Sequence, residues 1–279
     1  MPWKTDFAAD AEFRKVMAHE RDVDLVRVAL EIARDVDPQL DFAPVLGWIA
    51  ERGEELRRVV ATAWSDEEVL RELARLLGGV HGLRGELSCY EVPEGSYLPH
   101  VIRRRRGLPI ALSIVYIGVG RHVGLELQGA ASPGRFLIRC ETVSGVRFLD
   151  PYDGGRMYDE WGATGLLQRL TGIDAELLKQ TLQPATPRAI VIRMLNNLKL
   201  IYVRRGEWLK ALRVQQRLTA LKPAEYEERR DLGYLLLHAG HPGPALNLLT
   251  HCLRHCPADE SPTLANHISR AERELASFN

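Results

Sequence analysis

Residues 103–155 read RRRRGLPIALSIVYIGVGRHVGLELQGAASPGRFLIRCETVSGVRFLDPYDGG, and this stretch decides the fold. Between positions 110 and 119 the chain is apolar at Ile110, Leu112, Ile114, Val115, Ile117 and Val119, leaving Ser113 and Tyr116 as the polar side chains. A helix with no polar face must be enclosed by protein, so these residues predict a core helix buried all round. Three short apolar runs follow, at 125–130, 136–140 and 146–149, and Ser144-Gly145 separates the last two as a tight turn separates paired strands. The expected centre is a small antiparallel sheet packed on one buried helix, within an α+β fold.

Upstream, Leu25, Val28, Ala29, Ile32, Ala33 and Val36 recur at helical spacing, and Asp37-Pro38 should stop that helix. A second helix is expected near 44–63. Ser65 with Glu68 forms a capping box ahead of Val69, Leu70, Leu73, Leu76 and Leu77, and Gly78-Gly79 should end that third helix. The first 80 residues thus read as a helical region. Residues 81–99 carry Gly82, Gly85, Pro93, Gly95 and Pro99 and read as a long ordered loop, of the kind that often carries function. Cys89 and Tyr90 lie on it. A helix is expected at 158–170, and Pro184 and Pro187 suggest a domain boundary that splits the chain into 1–182 and 183–279.

Beyond that boundary a repeat emerges. Leu198 and Leu232, Gly206 and Gly240, Ala211 and Ala245, Leu212 and Leu246, and Pro223 and Pro257 are each 34 residues apart. This is the tetratricopeptide period, with Gly at the helix–helix turn, Ala where two helices approach and Pro after the second helix. Two repeats and a closing helix at 261–278 are expected, and such arrays usually bind peptides or proteins.

Composition narrows the function classes. Thirty-seven basic and 37 acidic residues leave no net charge, which removes the global electrostatic case for nucleic acid or an acidic membrane. No stretch approaches 18 uninterrupted apolar residues, and MPWKTDFAAD lacks the basic start and apolar run of a secretory signal, so a cytoplasmic protein without a membrane segment is expected. Cysteines at 89, 140, 252 and 256 have no spacing of a disulfide framework and are expected as thiols.

The string Arg104-Arg105-Arg106-Gly107-Leu108-Pro109-Ile110-Ala111-Leu112-Ser113, then Tyr116, Pro133-Gly134-x-Phe136-Leu137 and Asp150-Pro151-Tyr152-Asp153-Gly154-Gly155, resembles the bacterial transglutaminase-like family with C-terminal tetratricopeptide repeats, also known as the invasion-gene-regulator type. The resemblance covers most of the chain. It implies a papain-like core in which a Cys begins the buried helix while a His and an Asp come from neighbouring strands. The thiolate attacks, the imidazole moves the proton and the carboxylate orients the ring. Two of those residues are missing here. No Cys stands at 108–111, where the nearest hydroxyl is Ser113, and Arg135 occupies the imidazole slot. A guanidinium stays protonated and cannot serve as a base. Asp150 remains, so the resemblance implies a degenerate site in which Arg135 pairs with Asp150.

Other candidates have bland readings. Ser113 without a His is a weak nucleophile, better read as a buried hydroxyl bonded to its own helix. Cys89 could supply a thiol from its loop, but a lone Cys usually packs as a small hydrophobe. The arginines at 103–106 invite a nucleic-acid reading, yet no aromatic platform accompanies them. His251, Cys252, His255 and Cys256 have zinc-like spacing, but Cys252 aligns with the core position Leu218, so core packing is the better reading and no metal or cofactor is expected. The sequence therefore points first to a non-catalytic scaffold or interaction protein, with a partner protein or peptide at the repeats or the degenerate cleft. A residual amide hydrolase or acyl transferase, and then a nucleic-acid-contacting regulator, stand as alternatives. Neither the partner nor the oligomeric state is set by the sequence.

Overall fold

The structure, a computed structural model, describes residues 7–277. It divides into two compact units, residues 19–194 and residues 7–18 with 195–277. The helix α1 (Ala11–Met17) thus groups with the repeats and not with the helical region that follows it.

In the larger unit, α2 (Leu25–Ala33) starts where Asp24 Oδ1 accepts from the Val26 and Arg27 backbone N–H groups, and it ends before Val36. α3 (Ala43–Val59) follows, with Pro44 in its first turn, where a missing N–H costs nothing. α4 (Asp66–Ala74) opens on the expected Ser65 cap, but the return bond of the box reaches one residue further back than the N-cap. Ser65 Oγ accepts from Glu68 N at 3.3 Å, and the Glu68 carboxylate reaches back to Trp64 N at 2.8 Å.

Gly78-Gly79 does not stop the chain's helical course. The backbone continues from α4 through a π-helical turn, Arg75–Val80. Gly78 serves another purpose, since it lies against the backbone of Gly154 with no room for a side chain. The expected loop at 81–99 holds β1 (Arg84–Gly85) and two short 3-10 turns, Leu87–Tyr90 and Pro93–Gly95. α5 (Leu98–Arg104) then leads to β2 (Arg106–Gly107), which pairs in parallel with β1.

The core helix is α6 (Pro109–Arg121), in which Ala111, Leu112, Ile114, Val115, Tyr116 and Val119 are fully enclosed. Against it stands one antiparallel sheet of β3 (Leu127–Ala130), β4 (Leu137–Thr142), β5 (Gly145–Asp150) and β6 (Arg156–Tyr158), ordered β3-β4-β5-β6. Alternation along β4 sends Leu137 and Ile138 to opposite faces. α6 packs on β3 and β4. Leu137, Ala130 and Phe148 join Ala163, Leu167, Leu178 and Leu182 from α7 (Glu160–Thr171), α8 (Ala175–Thr181) and the residue that follows it. Tyr158, expected to begin a helix, is instead the end of β6, where its ring packs against that cluster.

The expected boundary near residue 183 falls differently in space. The chain there is fixed to β3, since Ala185 N donates to the Gly129 carbonyl at 2.7 Å. α9 (Pro187–Arg204) begins at Pro187 and runs unbroken past the division at 194/195, because a proline in a first turn starts a helix as readily as one beyond its end follows it. The repeats comprise the later part of α9, α10 (Trp208–Leu221), α11 (Tyr226–His238), α12 (Pro242–Leu253) and α13 (Ser261–Ala276). Phe278, expected in the last helix, lies outside the described residues. Gly206 and Gly240 both sit at the turns with φ of +67° and +80°, a region that only glycine enters without cost. Ala211 and Ala245 are wholly buried at the helix crossings. Inside this unit Arg217 lies between the rings of Phe7 and Phe13, its Cζ 4.6 Å from each centroid.

Candidate functional site

The end of β5 places Asp150 beneath the sheet at 1% exposure. Its Oδ1 accepts from Tyr152 N at 3.0 Å, capping the short 3-10 turn Pro151–Asp153. Arg135 reaches it from the β3–β4 turn, where Gly134 has φ +73°. Arg135 Nε stands 3.4 Å from Asp150 Oδ2, with the arginine side chain 12% exposed. The approach is that of an ion pair without a well-aligned hydrogen bond, for neither atom has a hydrogen-bond partner among the described residues.

The guanidinium also lies on the Tyr152 ring, its Cζ 4.1 Å from the centroid. That ring in turn lies flat against Gly85, where a Cβ would fall 1.8 Å from Tyr152 Cδ2. Tyr90 faces Tyr152 with centroids 6.4 Å apart. At the other side Arg193 donates to the Ser132 carbonyl at 2.7 Å, and its Cζ lies 5.7 Å from the Phe136 centroid. The site is therefore an aromatic and arginine stack closed over one carboxyl group.

Burial pushes the Asp150 carboxyl up to about 6, against the pull of the Arg135 guanidinium and of the Tyr152 and Asp153 backbone N–H groups. Desolvation outweighs the neighbouring charge. Burial likewise pushes the Tyr152 and Tyr90 phenols up, and does so more strongly at Tyr116, where the Asp150 charge adds to it. None of these groups is tuned toward a base at neutral pH except Asp150, whose partner is a permanent cation.

The other expected site residues fall as follows. Ser113 is wholly buried on α6, and its Oγ makes no hydrogen bond among the described residues, so the expected bond to its own helix is not formed. Cys89 is buried in its 3-10 turn under Gly95, and burial first, then the Glu86 carboxylate, push its thiol up despite Arg104 and Arg106. That is the reverse of an activated thiolate. Arg105 takes a left-handed backbone, φ +60°, and donates to the His81 carbonyl at 2.9 Å while lying 5.6 Å from the Trp48 ring. Arg106 donates to the carbonyls of Gly82 and Arg105. Two of the four consecutive arginines are thus clamps on the backbone.

Gly107 packs against Val101, Pro109 opens α6, and Pro133 and Gly134 form the turn that carries Arg135. Pro151 and Gly154 enclose the 3-10 turn after Asp150, and Gly155, with φ +85°, passes Ala74 and the Tyr116 ring. Cys252 packs with Leu249 and Leu264, while His251 and His255 are exposed. Among the described residues no group of three His, Cys, Asp or Glu side chains could hold a metal ion, and no helix is long and apolar enough to cross a membrane.

Sequence reasoning passed over Trp48 and Arg193 and read Gly85 only as a loop glycine. Tyr152 stood inside the quoted DPYDGG motif without being given a role, and Tyr90 was noted only as a loop residue. Arg193 carries no local signal, because nothing in its helix distinguishes it from other arginines.

The buried helix with its four-stranded sheet defines a transglutaminase-like domain, and the paired helices after it define tetratricopeptide repeats. The model of the transglutaminase-like superfamily matches residues 44–196, and a tetratricopeptide-repeat model matches residues 198–275. A UPF0162 protein of Xylella fastidiosa strain 9a5c is 35% identical over 240 residues, covering 84% of each chain. UPF0162 protein YchA of Escherichia coli K12 is 26% identical over 218 residues, 74% of this chain and 79% of its own. Protein SirB1 of Salmonella typhimurium is 24% identical over 214 residues, with the same coverage. The chain belongs to the transglutaminase-like superfamily, within the bacterial family of UPF0162 proteins and SirB1. No solved structure matches it.

Proposed function

We propose that this protein is a non-catalytic interaction protein, in which a degenerate transglutaminase-like domain serves as a scaffold and the tetratricopeptide repeats take a partner peptide. The observation that carries this reading is the Arg135–Asp150 pair, 3.4 Å apart and roofed by Tyr152. It fills the place where the family resemblance calls for an imidazole with a charge that cannot accept a proton. The buried Ser113 and the raised Cys89 thiol offer no substitute nucleophile.

For the repeats, the support is a groove of about 510 Å³ lined by Leu200, Val203, Trp208, Tyr234, Leu235 and His238. Leu200 and Val203 are 49% and 37% exposed, and the Trp208 and His238 rings stack at 4.4 Å. Lys199 and Asp231, paired at 3.1 Å, supply both signs of charge at its wall. Such a lining suits an amphipathic peptide with apolar anchors.

Two measurements test the reading. Transamidation of a glutamine-bearing protein by a fluorescent amine, and hydrolysis of the same amides, should stay at the buffer rate; a rate that disappears in Asp150→Asn would overturn the non-catalytic reading. Peptides selected from a displayed library on the purified protein should lose binding to Leu235→Arg and keep it with Asp150→Asn.

A further inference from the structure

Four rings from three helices form a row at the repeat groove. His238 of α11 stacks on Trp208 of α10 with centroids 4.4 Å apart and planes 25° from parallel. His267 of α13 stands edge-on to His238 at 6.5 Å, and Tyr234 of α11 lies against His267 at 4.5 Å. Trp208, Tyr234 and His238 line the groove described above. Trp208 and His238 also line a second concavity of about 480 Å³, with Gly206, Leu209 and Ala239, so their stack is a wall common to both.

The two imidazoles are the groups in this row that take up a proton in mild acid. Burial, then Arg270 of α13 and the His267 ring, hold His238 below the ordinary imidazole range, with Glu274 pulling the other way. Burial, then Arg270, hold His267 down as well. Glu274 is bonded to Arg270 at 2.7 Å, which limits what it offers an imidazolium. The other charges around the groove are paired among themselves: Lys199 with Asp231, Arg230 with Asp231 and Glu260, and Glu207, ahead of α10, with Arg205 and Lys210. α12, also packed on α11, brings His251, which is exposed, and Cys252, which is enclosed with Leu249 and Leu264.

We propose that protonation of the His238–His267 pair releases the peptide held in the repeat groove, so that occupancy of the groove follows pH. The proposal rests on the groove reading given above. A neutral imidazole can lie flat on an indole and present a carbon face to an apolar anchor, whereas an imidazolium has two N–H donors that must be hydrated or bonded. An indole face accommodates one such charge. Two of them, with rings 6.5 Å apart and Arg270 beside both, repel one another in a half-buried wall. The rings then part, and the wall shared by the two concavities loses the apolar surface that holds the anchor.

Fluorescence anisotropy of a library-selected peptide without His, Asp or Glu, on the full chain at pH 7.5 and pH 5.0, tests it. Affinity should fall by roughly tenfold or more at the lower pH, since binding that needs a neutral group weakens about tenfold for each unit below the pKa of that group. His238→Phe and His267→Phe keep a ring and cannot take the charge, so each should lessen the fall, and the double variant should bind alike at both pH values. Binding indifferent to Leu235→Arg at pH 7.5 overturns the groove reading, and the switch with it. A parent affinity that does not change with pH, or a fall that persists in the double variant, overturns the switch alone. Proton NMR titration of the two imidazoles in the peptide-free chain reads the pair without any peptide: both should titrate below the ordinary 6.5, and rings that titrate at or above it overturn the proposal.

Discussion

Arg217 Nη2 donates to Asp10 Oδ2 at 2.7 Å, joining residues 207 positions apart in the chain, with both side chains buried. The guanidinium sits between Phe7 and Phe13, and Arg213 of the same helix also lies over the Phe7 ring, so charge and aromatic contacts together hold the start of the described chain to α10. Asp10→Ala would leave a buried guanidinium short of its carboxylate, a change that costs about 3–5 kcal/mol. Urea unfolding should register that loss, and limited proteolysis should cut ahead of α2 in the variant sooner than in the parent.

The Asp150 carboxyl makes stability depend on pH in an unusual direction. It holds its proton to about pH 6 when folded, against an ordinary value of 3.8, so the folded state binds more protons between those values. Stability contributed by this group is greatest below that window and falls as pH rises through it, by an amount on the order of 2–3 kcal/mol. Asp150→Asn, which keeps an oxygen to accept from Tyr152 N, should flatten that part of the profile. Urea midpoints at pH 4.5 and 7 for both proteins give the comparison, and identical slopes would contradict the raised carboxyl.

Removing the partner should move the same group further. In Arg135→Leu the guanidinium that draws the Asp150 carboxyl downward is gone, and burial then acts against less opposition. A carbon-detected titration of the Asp150 carboxyl should find it above its parent value. A downward move would mean that Arg135 does not stabilise the carboxylate.

Gly78 and Gly154 allow a direct steric test. A Cβ at position 78 would lie 1.8 Å from the Gly154 carbonyl oxygen, which is backbone and cannot swing aside. Gly78→Ala should therefore cost about 1–3 kcal/mol or more, whereas Gly79→Ala, with its nearest neighbour 4.0 Å away on the Arg75 side chain, should be close to neutral. Thermal unfolding separates the two.

Thiol reactivity should follow burial. Cys89, Cys140 and Cys252 are enclosed and pushed up by burial, Cys140 to about 11, while Cys256 is half-buried. Iodoacetamide at neutral pH should label Cys256 first and leave Cys89 slow, as read by peptide mass spectrometry. Rapid labelling at Cys89 would restore the thiol enzyme as a reading.

The parts of the fold that a one-dimensional pattern can carry were legible. The unbroken apolar run made α6 a core helix, Ser144-Gly145 placed the β4–β5 turn, and the 34-residue spacing placed the repeats. Asp150 and Arg135 were named from the motif, and their proximity is seen in the structure. What escaped depends on distant partners. Gly78 reads as a stop because its neighbour Gly154 is remote in sequence, and Pro187 reads as a boundary because nothing local reveals that α9 continues. Residues 7–17 read as part of the helical region of the first 80 residues, for their tie to Arg217 has no sequence period. Tyr90 and Arg193 converge on the site only after the sheet has formed.

The bond from Ala185 to Gly129 has one more consequence. A sheet of four strands has two open rims, and an open rim can recruit a strand from a neighbouring molecule. On one side β6 is only three residues long, too short to template much. On the other, residues 184–187 lie along β3 and occupy its Gly129 carbonyl. The chain thus shields its own sheet from polymerisation, and a Pro at position 185, which has no N–H to give, would uncover that rim to cross-molecular assembly.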